Sequence, residues 1–326
     1  MNKEKILLTG GAGFIGSYLT KQLIDEGHEV VIYDAFIQYI HPFQTKYNDF
    51  FRFRFKDVIN KVVIERGDTR DSNLLRKVII KHRPDRIVHL AALPLADLSD
   101  KNSEESKSSI FDGTINVLEV LGEVNFVKKF VYISSSMIYG DFKQLPCPED
   151  HLKKPKDLYG GFKFAGEVMT EAYCRRYNIP YSIVRPSAVY GPTDINRRVS
   201  GIFIENAINN KPIILHNGGN TSLDFTYVED IAQGIRKVLM SKKAEGEAFN
   251  ITYGRGYTLK EFADILKKYF SELEIQIEEA SENDFRPKRG ALDIKKAREL
   301  VDYDPQYPLE RGLGEYVKFF KENNLC

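Results

Sequence analysis

Residues 5–17, KILLTGGAGFIGS, decide how the rest of the chain is read. An apolar run, Ile6-Leu7-Leu8, meets Gly10-x-x-Gly13-x-x-Gly16, after which Tyr18, Leu19, Gln22 and Leu23 continue at helical spacing. The order is strand, tight turn, helix. Gly10 serves the turn, Gly13 lets backbone approach a pyrophosphate, and Gly16 allows close packing of helix on strand. Phe14 and Ile15 open that helix, whose unpaired N–H groups and aligned dipoles favour a phosphate. A second apolar run, residues 29–33, ends at Asp34, 18 residues beyond Gly16. A carboxylate there hydrogen-bonds the adenosine ribose hydroxyls and repels a 2′-phosphate, so NAD is favoured over NADP.

At 326 residues with 42% hydrophobic content, the chain suffices for one large α/β domain with a smaller lobe, or for two domains. Forty-seven basic and 46 acidic residues leave a net charge of +1, with no long run of one sign. Nucleic acid and anionic membranes are therefore not expected as partners, and charge that binds phosphate must be local. The N-terminus enters the first strand directly, and no apolar stretch reaches the ~18 residues that span a bilayer. Three scattered cysteines, Cys147, Cys174 and Cys326, fit a reducing compartment and form no metal spacing. A cytoplasmic protein without a metal is expected.

Beyond Asp34, residues 36–55 are rich in Phe and Tyr and long for a loop, which predicts a helix over 47–58. This stretch reads either as a cap over a site or as a local hydrophobic satellite. Residues 62–64 form a third strand that ends in Gly67-Asp68-Thr69-Arg70-Asp71. Strand ends of an open parallel sheet face the ligand crevice, so Asp68 and Thr69 are placed to meet adenine. Asp68 as a turn or helix-cap residue is the alternative. A helix over 74–81 precedes a fourth strand, 86–92, whose Leu90, Ala91 and Ala92 would lie beside the cofactor. A helix over 109–124 and a fifth strand, 129–133, follow. Alternating strands and helices with right-handed crossovers specify a Rossmann-type, doubly wound parallel α/β sheet.

The fifth strand ends in Ser134-Ser135-Ser136, and Tyr159-Gly-Gly-Phe-Lys163 opens a helix through Tyr177. Positions i and i+4 share one helix face. A cation beside a phenol stabilises the phenolate and lowers its pKa from the usual ~10, which turns Tyr159 into a general base. Lys163 would also reach the nicotinamide ribose, Ser134 would line the cofactor, and a serine at the strand end would hold the substrate oxygen.

With these motifs in order, the chain resembles the extended short-chain dehydrogenase/reductases of the nucleotide-sugar epimerase/dehydratase family, UDP-glucose 4-epimerase-like in pattern. The residues that carry the resemblance are TGGAGFIGS (9–17), Asp34, GDTRD (67–71), HLAA (89–92), SSSMIYG (134–140), YGGFK (159–163), RPSAVYGP (185–192), DFTYVED (224–230) and RPKRG (286–290). The resemblance implies Ser135, Tyr159 and Lys163 as catalytic residues. It implies Ser136 and Arg286 as substrate-binding residues, with Arg197, Arg198 and Arg289 as further local cations for a nucleotide-diphosphate sugar. Sugar-nucleotide dehydratases of the family carry an Asp-Glu pair after the catalytic hydroxyl residue, whereas this chain has Ser136 and Met137. Met137 also stands where 3,5-epimerases carry cysteine, Ile110 where many relatives have Asn, Ala188 where they have Asn, and Leu223 where they commonly have a diphosphate-binding Arg.

The expected function is NAD-dependent oxidation of a nucleotide-linked sugar at carbon 4, as an epimerase. The alternatives are a 4-dehydrogenase/ketoreductase that releases a keto-sugar, for example from a GDP-linked heptose or mannose-type sugar, and a catalytically silent NAD-binding sensor. The retained Tyr/Lys pair speaks against the sensor. The expected division is 1–190 for NAD, with 224–254 returning to it, and 191–223 with 255–326 as a smaller substrate-binding lobe. A homodimer through the helices over 109–124 and 159–177 is expected by analogy.

Overall fold

The computed structural model describes residues 3–40, 47–279 and 286–323. The first strand sets the pattern for the sheet: Ile6 and Leu8 face one layer and Leu7 the other, all fully buried. Val30 and Ile32 alternate in the same way with Val31 and Tyr33, and Val131 and Ile133 with Phe130 and Tyr132. Strands apolar on both faces must be covered by helices on both sides, which a parallel sheet requires.

The strands are β1 (Lys5–Thr9), β2 (Glu29–Asp34), β3 (Val62–Arg66), β4 (Arg86–His89), β5 (Lys129–Ile133), β6 (Tyr181–Pro186), β7 (Val189–Tyr190), β8 (Ile213–Leu215), β9 (Ser222–Leu223), β10 (Thr226–Tyr227), β11 (Glu247–Ile251), β12 (Tyr257–Thr258) and β13 (Ile275–Ile277). Seven of them form a parallel sheet in the order β11-β6-β5-β4-β1-β2-β3. The helices are α1 (Phe14–Asp25), α2 (Tyr47–Phe55), α3 (Ser72–His82), α4 (Ala96–Lys101), α5 (Ser103–Ser106), α6 (Gly113–Glu123), α7 (Leu158–Tyr177), α8 (Val199–Ile208), α9 (Val228–Met240), α10 (Leu259–Lys267), α11 (Lys295–Val301) and α12 (Leu309–Glu322).

Leu19 and Leu23 of α1, the apolar stripe of α9, and Ala297 and Val301 of α11 cover one sheet face. Residues of α3, α6 and α7 cover the other. A separate core gathers Phe203 and Ile204 of α8, Phe262 and Leu266 of α10, and Leu309, Leu313 and Phe320 of α12. Ile294, Ala297, Val301 and Tyr303 thus pack with the sheet although they follow α10 in the chain.

Boundaries differ most from expectation in three places. Helix α2 stops at Phe55, before a short 3-10 turn over Ile59–Lys61. Strand β4 ends at His89, so Leu90–Ala92 leave the ladder. Helix α6 begins at Gly113, preceded by a π-helical segment, Lys107–Asp112. The aromatic stretch joins both cores: Phe51 and Phe55 pack toward the sheet, while Phe50 and Phe53 meet Phe319 of α12. His41, Pro42 and Phe43 lie outside the described residues, as does Cys326. Cys147 and Cys174 are buried free thiols. Among the described residues no helix is long and apolar enough to cross a membrane.

Helix α7 is locked to the sheet by a buried fork. Arg185 of β6 donates through Nε and Nη2 to the two carboxylate oxygens of Glu167, at 2.9 and 2.8 Å, with both side chains under 5% exposed. The remaining Nη1 donates to the Tyr139 hydroxyl and the Glu149 carbonyl. Removing one member of a buried pair strands the other charge, so Glu167→Ala is expected to lose about 3–5 kcal/mol in urea denaturation. A loss under about 1 kcal/mol, typical of exposed pairs, would contradict this.

Candidate active site

Strand order reverses between β2-β1 and β4-β5, and a cavity of about 960 Å³ opens at the carboxyl ends of the strands there. Each residue assigned above to cofactor, catalysis or substrate borders this one cavity.

The glycine turn leaves β1 with Gly10 at φ +69°, where a Cβ would lie 2.7 Å from the Ala91 amide nitrogen. Only glycine fits there, because the chain after β4 passes against it. A Cβ on Gly13 would meet only the Gly10 carbonyl, at 3.1 Å, leaving that backbone open to an incoming group. Helix α1 has no acidic residue in its first turn and no side-chain cap, so its N–H groups remain for an anion. Asp34 ends β2, and its two oxygens accept from Ala12 N at 2.9 Å and Phe36 N at 2.8 Å. This cradle fits a dinucleotide.

At the β3 end, Asp68 accepts from the Arg70 backbone and guanidinium. Burial raises its carboxyl, but the Arg70 hydrogen bonds and charge outweigh that and hold it below its ordinary range. Arg70 also pairs with Glu105 at 2.7 Å, and Asn116 Nδ2 donates to the Thr69 and Arg70 carbonyls. His89 is buried between the Thr9 and Thr114 hydroxyls, and burial pushes its pKa down to about 3. It ties strands together rather than exchanging protons.

At the far end of the cavity, the Ser135 hydroxyl accepts from Met137 N at 3.2 Å and acts on the Tyr159 phenol against the effect of burial. The Ser134 and Ser136 hydroxyls are buried without hydrogen-bond partners among the described residues. Asp157 caps α7 by accepting from Gly160 N at 2.7 Å, which starts the helix one turn before Lys163. Lys163 Nζ donates to the Ile133 carbonyl at 2.7 Å and lies 6.0 Å from the Tyr159 ring centre. Burial pushes its pKa down to about 7, with Glu167 opposing.

The lowering of the Tyr159 pKa expected from Lys163 is not what this arrangement gives. Burial raises the phenol above its ordinary value, and the opposing influences are the Arg198 charge and the Ser135 hydrogen bond. The i,i+4 spacing brings the two side chains to one face, but the Lys163 ammonium is spent on a carbonyl.

The four arginines differ. Arg197 is exposed, 3.8 Å from Glu205. Arg198 pairs with Asp194 at 2.7 Å and donates to the Pro94 carbonyl. Arg286 is exposed at the rim, whereas Arg289 has a buried Nε without a hydrogen-bond partner among the described residues. Burial pushes the Arg289 pKa down to about 10, with the Asp157 carboxylate opposing. Arg54, absent from the sequence reading, also borders the site, as does Arg70, whose pairing with Glu105 the sequence did not announce. Arg54 left one signal: a cation three residues after Phe51, on a helix face otherwise apolar.

The comparisons with known proteins agree with this geometry. A family model, that of the NAD-dependent epimerase/dehydratase family, matches residues 6–252. An uncharacterized UDP-glucose epimerase of Bacillus subtilis, YtcB, is 30% identical over 97% of this chain and 97% of its own length. The crystal structure of a UDP-glucose 4-epimerase from Thermotoga maritima with UDP-glucose superposes with a TM-score of 0.87 at 26% identity, over 98% of this chain and 99% of that one. A UDP-glucuronic acid 4-epimerase from Bacillus cereus, solved with UDP-glucuronic acid and NAD, gives 0.87 at 29% identity, again over 98% and 99%. The chain belongs to the NAD-dependent epimerase/dehydratase family of enzymes, and NAD is its cofactor.

Proposed function

We propose that this enzyme is a nucleotide-sugar 4-epimerase. The observation that carries the reading is the convergence of Ser135, Tyr159 and Lys163 on the cavity that begins at the glycine turn. Gly10, Gly13, Phe14, Ile15, Gly16, Asp34, Asp68, Thr69, Leu90, Ala91, Ala92 and Ser134 would hold NAD. Bound there, NAD would supply the acceptor, and then the donor, of the hydride at carbon 4 of the sugar. Tyr159 removes the proton of the carbon-4 hydroxyl and later restores it, while Ser135 holds the same oxygen. Because burial favours the protonated phenol, its ionisation draws on the positive charge of Arg198 and on Ser135. Arg286 and Arg289 are assigned to the diphosphate, supported by the Arg289 Nε, which has no hydrogen-bond partner among the described residues, with Arg197 and Arg198 as further cations bordering the same cavity. Neither Ser136 nor Met137 can act as the acid or base that eliminates water, which speaks against dehydration.

The substrate lobe of this proposal is the core of α8, α10 and α12. A homodimer through α6 and α7, where Val168 and Tyr177 stay exposed, belongs to the same proposal.

Incubation with a panel of UDP-, GDP-, CDP- and dTDP-sugars, followed by NMR, is expected to give a carbon-4 epimer of one of them. In the Tyr159→Phe variant turnover should fall about 10²–10⁴-fold with NAD binding retained. Undiminished turnover would sink the assignment. A second check concerns Lys163, whose pKa is near 10.5 in the unfolded chain and about 7 when folded. Between these values the unfolded state binds the extra proton, so this group makes stability rise with pH across that window. In urea denaturation of ligand-free protein, wild type should gain on Lys163→Met between pH 7 and 9; an unchanged gap would contradict the lowered pKa of the buried amine.

A further inference from the structure

Helix α2 has a position that packing alone does not explain. Its Phe50 and Phe53 are anchored in the second core against Phe319, and its Phe51 and Phe55 in the sheet core. Between them Arg54 is buried, 3% exposed, and its guanidinium spans the cavity wall. Nη1 donates to the Ala12 carbonyl of the glycine turn at 3.1 Å; Nη2 donates to the Thr193 carbonyl at 2.5 Å, and Nε to the Thr193 hydroxyl at 3.4 Å. Thr193 has φ +71°, a conformation that a β-branched residue adopts only when its surroundings impose it. The next residue, Asp194, accepts from the Asn196 amide at 3.0 Å and holds Arg198 at 2.7 Å, and Arg198 is the charge that faces the Tyr159 phenol.

We infer that Arg54 is a positioning residue: its planar fork ties the glycine turn to the 193–198 loop, so that a dinucleotide settling on the turn fixes the loop that presents Arg198 to Tyr159. The inference rests on the cavity being the NAD site. Ala12 lies at the centre of this linkage, since its N–H is held by Asp34 while its carbonyl receives Arg54. A ligand that orders Ala12 therefore orders the partner of Arg54, and coupling of this kind is reciprocal between the two sites. A lysine keeps the charge, but its single ammonium lacks the fork that reaches both carbonyls with fixed geometry.

The test is amide hydrogen exchange with and without NAD in wild type, Arg54→Lys and Arg54→Met. In wild type, NAD should slow exchange at 10–16, and at 193–199 by about ten-fold. In both variants slowing at 10–16 should remain while slowing at 193–199 is lost. The lysine variant keeps the buried charge, so it reports on the fork even if Arg54→Met fails to fold; thermal melting of each ligand-free variant identifies such a failure. Slowing at 193–199 that survives in Arg54→Lys, or that is missing in wild type while 10–16 responds, would overturn the inference. No response to NAD at 10–16 in wild type would instead remove the cofactor reading on which it rests.

Discussion

Helix α7 can present a phenol to the cavity only because it lies hard against the end of the sheet. A Cβ on Gly166 would fall 2.2 Å from the Tyr132 hydroxyl, so that turn of the helix has no room for any other residue. On either side of this contact, Lys163 reaches the Ile133 carbonyl and Glu167 takes the Arg185 fork. These are three successive inward positions on one helix face, each bonded or packed to a different strand atom. A shift of α7 would break all of them together and strand two buried charges. Tyr159, one turn earlier, inherits its position from this seat.

The same seat decides the electrostatics. Burial makes charge expensive at both Tyr159 and Lys163, raising the phenol above its ordinary value and lowering the amine to about 7. The two ordinary values lie close together, so these opposite shifts separate them and favour the neutral phenol beside the neutral amine until a charge at the site opposes burial. Arg198 adds the outside charge that opposes burial at the phenol, and it comes from a loop whose backbone is held in an unfavourable region. Phe36, Ala188 and Arg197, all bordering the cavity, also have positive φ, so unfavourable conformations gather where the ligands would sit.

What the sequence discloses is what lies close along the chain. The glycine turn, the acid at the end of β2 and the Tyr159/Lys163 spacing are local patterns with a steric or helical reason, and each stands where it was expected. The strands were legible because residues 29–34 and 129–133 are apolar on both faces. Three matters were not legible. Arg54 meets Thr193 across 139 residues, and no local pattern announces that contact. The phenol pKa depends on burial rather than on spacing. The return of residues 294–303 to the sheet core depends on how the chain folds back after α10, which no periodicity encodes.

The central claim is that one carbon–hydrogen bond is broken and remade inside a single cavity, with Tyr159 handling the proton and no exchange with water. The most direct measurement follows a substrate nucleotide-sugar deuterated at carbon 4 through turnover in ordinary water. The account predicts product inverted at carbon 4 with its deuterium retained. Loss of the label to solvent, or its accumulation in added free NAD, would contradict it.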